Sequence, residues 1–115
     1  MEAMSEVFES VARCFTLLSV PARIRILHAV CRAERSVGQI VADTGLGQSN
    51  VSRHLGVMYQ AGALLRRREG AQVFYSVADE SYTELCRAVC ERVSAGLDGK
   101  KGLKRGVRDL LAELR

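Results

Sequence analysis

Four cysteines, two histidines and a run of three arginines carry most of the chemical potential of this 115-residue chain. Cys14, Cys31, Cys86 and Cys90 each fall on an apolar stripe of helical spacing, where a thiol most often packs as a small hydrophobe. Cys86 and Cys90 are four residues apart and therefore neighbours on one helix face. Joined by Cys14 or Cys31, they make a set of thiols that a soft metal or metalloid such as arsenite, cadmium or copper(I) favours. The other chemistry open to them is a covalent link between helices, which needs Cα atoms within about 7 Å. His28 and Cys31 are the one pair that suggests a nucleophile and its base. No third orienting group and no oxyanion loop accompany them, so no catalytic residue is assigned and an enzyme is not expected.

A second set of side chains is polar. Gln48, Ser49, Ser52 and Arg53 stand opposite Val51, Leu55 and Met58 on one amphipathic segment. Gln bonds adenine, Arg bonds the N7 and O6 of guanine, and Ser serves bases or phosphates. His54 either reaches a phosphate or caps a nearby backbone group. Further along, Arg66 and Arg68 share one face of a strand while Arg67 points to the other. With Gln72 across the turn, these arginines suit phosphate neutralisation, which gives salt-sensitive affinity and little sequence information. The net charge of +4 agrees with a polyanionic partner.

The elements that must position these residues follow from the apolar periodicity. Met4, Val7, Val11, Cys14 and Leu18, with Phe8 and Phe15, mark a first helix over residues 4–18. Pro21 begins a second, with Ile24, Leu27, His28 and Cys31 on its stripe, ending near Ala33. Ser36 and Gln39 have the spacing of a capping box at the start of a short third helix over 37–43. Gly45 and Gly47 break the chain before a fourth helix over 48–61, so that helix, tight turn and helix form a helix-turn-helix. Residues 63–68 and 72–77 read as two strands about the turn Glu69-Gly70-Ala71. Residues 79–95 return to helix, with Tyr82, Leu85, Cys86, Val89, Cys90 and Val93 on a face too apolar to stand uncovered. The expected fold is therefore mainly α with a small β-hairpin, in one domain over 1–95. The tail, 96–115, holds Gly96, Gly99, Gly102 and Gly106 with Lys100, Lys101, Lys104 and Arg105, and reads as a mobile linker ending in a short helix around Val107, Leu110, Leu111 and Leu114.

The chain is 48% apolar, enough for a core without disulfides or a structural metal. The acidic N-terminus lacks the basic and apolar regions of a secretory leader, and no apolar run approaches the roughly 20 residues of a membrane span. A cytoplasmic protein with no membrane partner is expected, in which the thiols are reduced.

Several segments together resemble the ArsR/SmtB family of bacterial repressors: Leu18-Ser19-Val20-Pro21-Ala22-Arg23-Ile24-Arg25-Ile26-Leu27, then Gly47-Gln48-Ser49-Asn50-Val51-Ser52-Arg53-His54-Leu55, then Ala61-Gly62, then Arg67-Arg68-Glu69-Gly70 leading to Tyr75. The resemblance covers about residues 7–93 and implies a winged helix-turn-helix repressor. It further implies a homodimer through the first and last helices, a recognition helix in the major groove of a palindromic operator, and a wing near the minor groove. Val20 stands where the family usually has a capping Asp, so Ser19 is the expected substitute cap. Ser36 and Gly38 occupy the places of the paired cysteines of the family's arsenic and lead sensors. The ligands of its zinc sensors on the last helix are also missing. No cofactor is required on this reading. The candidate inducers are As(III) or another soft ion held by the four thiols, and a thiol switch like that of the family's persulfide sensors. For the switch, Cys31 lies about one turn later and Cys90 about one turn earlier than those sensors' cysteines. Purely structural cysteines with another inducer, and an interaction module that does not bind DNA, complete the alternatives.

Overall fold

The structure is a computed structural model that describes residues 2–96 and 101–114. Its order is α1 (Glu2–Leu17), α2 (Pro21–Val30), β1 (Arg35–Ser36), α3 (Val37–Thr44), α4 (Gln48–Gln60), β2 (Leu64–Glu69), β3 (Gln72–Val77), α5 (Ser81–Ala95) and α6 (Lys101–Leu114). The core gathers Leu17 from the end of α1, Ile26, Leu27 and Val30 of α2, and Ile40 of α3. Val51, Leu55 and Met58 of α4 join them, with Ala63, Leu64 and Tyr75 from the sheet.

Local chemistry explains most boundaries. Pro21 opens α2 where its missing N–H costs nothing. Ser19 does not cap that helix, contrary to expectation. Its hydroxyl donates back to the Thr16 carbonyl at 2.6 Å, and α2 starts at Pro21 behind Val20 with no side-chain cap. The capping box of α3 is present, with Ser36 Oγ accepting from the Gln39 amide at 3.2 Å and Gln39 Oε1 accepting from the Ser36 amide at 2.9 Å. Gly45 ends α3 at φ +71, a left-handed conformation that glycine adopts without strain. Gly70, at φ +61, turns β2 into β3.

Two features were not expected. Residues 35 and 36 pair with β3, Arg35 opposite Tyr75 and Ser36 opposite Phe74, so the hairpin becomes a three-stranded antiparallel sheet of order β1-β3-β2. Two residues are too few for an alternating pattern, and Ser36 serves both strand and helix cap. The tail is the other. The linker expected from Gly96 onward falls in part on 97–100, outside the described residues. Beyond it α6 runs for 14 residues, longer than the short terminal helix expected. Val107, Leu110, Leu111 and Leu114 are half-buried on one side, and α6 packs on α5. Arg32 holds its far end, donating from Nε to the Glu113 carbonyl at 2.5 Å and from Nη2 to the Ala112 carbonyl at 2.8 Å. A cation there satisfies carbonyls that a helix C-terminus leaves unpaired. Packing thus overrides the helix cost of Gly102 and Gly106.

Ser36→Ala removes one arm of the capping box. It should lower stability by about 1 kcal/mol, measured by urea denaturation; an unchanged midpoint would mean that the pairing of β1 alone sets the start of α3.

Candidate nucleic-acid interface

α4 is buried on one side and polar on the other. Val51, Leu55 and Met58 have 0% exposure, while Gln48, Ser49, Asn50, Ser52 and Arg53 face solvent. Arg53 Nη2 donates to Asn50 Oδ1 at 2.9 Å, which orients the guanidinium along the helix surface. Asn50 was not among the expected contacts, although it lies one turn before Arg53. Gly47 caps α4 without a side-chain acceptor.

The wing sorts its arginines as strand alternation requires. Arg66 lies 4.0 Å over the Tyr59 ring at the end of α4. Tyr59, Arg66, Arg68, Val73 and Tyr75 line an open cleft of about 400 Å³ between helix and hairpin. Arg68 is exposed and has no ion-pair partner among the described residues. Arg67, on the opposite face, is held between Glu34 and Glu69, each at 2.6 Å, and lies 4.8 Å from the Phe74 ring centre. The guanidinium in turn keeps the Glu34 carboxyl below its ordinary value, chiefly by hydrogen bonding. Gln72 pairs with Glu69 beside the turn and is exposed. Tyr59 was missed because only the folded hairpin brings Arg66 over it.

The family model described as "Bacterial regulatory protein, arsR family" matches residues 20–64. An HTH-type transcriptional regulator of Mycobacterium tuberculosis is 44% identical over 85 residues, spanning 73% of this chain and 74% of that protein. The chain belongs to the arsR family. A probable mercury resistance operon repressor of Streptomyces lividans is 32% identical over 93 residues, covering 78% of this chain and 74% of its own. The homodimeric winged helix-turn-helix DNA-binding domain of a possible ArsR-family regulator from Mycobacterium bovis, solved by NMR, superposes with a TM-score of 0.71. It is 28% identical and covers 84% of this chain and 88% of that one. This arsR-family chain is accordingly a DNA-binding transcriptional regulator of a class that carries out no catalysis. No helix among the described residues is long and apolar enough to cross a membrane.

His54 does not share the exposed side of α4. It is 5% exposed and its Nδ1 accepts from Arg23 Nε at 3.2 Å, so the expected phosphate or backbone-capping role is replaced by a side-chain bond inside the fold.

The thiols divide in two. Cys14 is exposed on α1 beside Tyr82, where Ser10, Arg13, Leu17 and Ala61 complete a shallow pocket. Cys31, just past the end of α2, and Cys86 and Cys90, on α5, are half-buried. Burial pushes the Cys86 thiol up to about 11, with the neighbouring thiols of Cys90 and Cys31 adding to the effect. Burial also raises Cys31 and Cys90. All three are therefore protonated at neutral pH, and a protonated thiol is a poor nucleophile. Among the described residues no group of three or more Cys, His, Asp and Glu stands ready to hold a metal ion. His28 is drawn instead to Glu113 of α6.

The wing gives a test of its own. Arg68→Ala should lower the slope of log affinity against log salt by about 1, whereas Arg67→Ala, whose charge is already matched by Glu34 and Glu69, should leave the slope unchanged. Equal slopes for the two variants would mean that strand alternation does not sort the phosphate contacts.

Proposed function

We propose that this chain is a homodimeric transcriptional repressor that reads a palindromic operator with α4 and grips flanking phosphates with its wing. The observation that carries the reading is the division of α4 into a fully buried apolar side and an exposed row of Gln48, Ser49, Ser52 and Arg53. Recognition helices present their N-terminal residues to base edges in the major groove. Arg66 and Arg68, on one face of the wing, supply phosphate neutralisation, and Gln72 lies at the wing tip. Asn50 joins the set by steadying Arg53.

The dimer follows from what one chain leaves uncovered. Met4, Val7, Phe8, Val11 and Phe15 on α1 are between 47% and 65% exposed, and Val89 and Val93 on α5 are 50% and 46% exposed. Large apolar side chains exposed to this extent on two helices are costly in water and fit a second copy. The homodimeric Mycobacterium bovis domain supports the same assembly. In a two-fold dimer the α4 helices meet half-sites about 34 Å apart.

For the inducer, the thiols favour a soft metal or metalloid ion over an oxidant. An oxidising or persulfide signal needs a thiolate already present, and Cys31, Cys86 and Cys90 are shielded and protonated. A soft ion displaces the protons as it binds, and the reading needs only the paired thiols of Cys86 and Cys90 from one chain, since no group of three ligands is present among its described residues. The Streptomyces lividans relative, a probable mercury resistance operon repressor, lends support to a thiophilic metal signal. Cys14 stands apart with Tyr82 and joins such a site only through the partner copy.

Two measurements test this function. Arg53→Ala should weaken specific binding by about 1 to 3 kcal/mol if the guanidinium contacts a base in bidentate fashion; an unchanged affinity removes Arg53 from the site. Titration of the reduced protein–DNA complex with arsenite or mercuric ion, read by fluorescence anisotropy, should release DNA reversibly, and Cys86→Ser should abolish the response. Release only by a persulfide donor, with a covalent mass increase, would replace the metal reading by a thiol switch.

A further inference from the structure

His54 is the one buried polar side chain among the described residues, and it sits on α4 but on the side turned into the fold. Its partner Arg23 also donates from Nη1 to the carbonyl of Leu17 at 3.3 Å, and Leu17 is the last residue of α1. A guanidinium has donors only and stays charged, so Nδ1 of His54 must carry a lone pair and the ring proton resides on Nε2. The Leu17 carbonyl is among those that a helix C-terminus leaves without an intrahelical partner. One side chain of α2 thereby links the end of α1 to the middle of α4.

We infer that Arg23 and His54 are positioning residues for DNA binding, a tether that sets the placement of the recognition helix α4 against the end of the dimer helix α1. The inference rests on α4 being the helix that contacts DNA. The bonds have a consequence that mere packing would not. Protonation of His54 puts an N–H where the Arg23 donor needs a lone pair and sets two cations together. The charged groups facing the ring are Arg53 on its own helix and Arg23 from α2. Burial first, and then these two cations, hold His54 below its ordinary value of 6.5. The tether is therefore complete above about pH 6.5, where the ring is neutral whether folded or unfolded. It is lost as pH falls through the lower value of the folded chain.

The test uses the full chain in a His28→Gln background, so that His54 is its only histidine. Binding is followed by anisotropy at constant ionic strength, from about pH 8 to about pH 5.5, on a duplex that the wild-type protein selects from a random-sequence pool. His54→Asn keeps an acceptor near the Nδ1 position and does not titrate; His54→Leu keeps apolar volume and loses the acceptor. The background protein should lose about tenfold in affinity as the pH falls. His54→Asn should bind nearly as well at high pH and show a flat profile, and His54→Leu should bind about tenfold more weakly throughout. Nitrogen-15 NMR of the wild-type protein should show the Nε2–H tautomer, a readout that needs neither DNA nor a folded variant. An Nδ1–H tautomer, or a His54→Asn profile that falls as steeply as the background's, overturns the tether. Failure of the wild-type protein to select any duplex overturns the reading of α4 instead, while the tautomer still decides the Arg23 bond.

Discussion

The complete burial of Val51, Leu55 and Met58 is the constraint on which the rest of the molecule depends. These side chains lock α4 by one side against α2, α3 and β2, and the helical period then dictates which residues face outward. Rotating α4 by one residue would expose the core positions and bury Arg53, so packing energy fixes which polar residues of α4 form its outward row. The wing obeys the matching rule for strands: Leu64 is buried at the base of β2, and Arg66 and Arg68 continue the same face outward.

Electrostatics then divides the cationic groups by task. Arg67 is spent within the fold on Glu34 and Glu69 and braces the hairpin against the loop after α2. Arg32 closes the end of α6, and Arg23 holds His54 and the end of α1. Arg53, Arg66 and Arg68 stay outward, two of them steadied by Asn50 and Tyr59. Prior orientation of this kind reduces the conformational entropy that these side chains lose on engaging any partner. The net charge of +4 thus understates how unevenly cationic groups are employed.

Much of this was legible in the sequence because it is local. The capping box at Ser36, the turn at Gly70, and the apolar spacing of α4 each depend on residues within a turn or two of each other. The two-residue β1 carried no pattern, and α6 was obscured by Gly102 and Gly106, whose low helix propensity packing against α5 outweighs. His54 offered a signal that its polarity concealed: it lies three residues after Val51 and four before Met58, on the buried stripe. The Arg23 bond, the stacking of Arg66 on Tyr59 and the desolvation of Cys86 all join residues distant in sequence, and only the fold brings them together.

Amide hydrogen exchange of the protein, free and bound to its selected duplex, tests the central claim most directly, because it locates the contact surface without substitutions. Protection gained in the first turn of α4 and around the Gly70 turn, with the amides behind Leu55 unchanged, is the predicted result. Protection confined to α1 and α5, with α4 and the wing exchanging as in the free protein, would contradict the account.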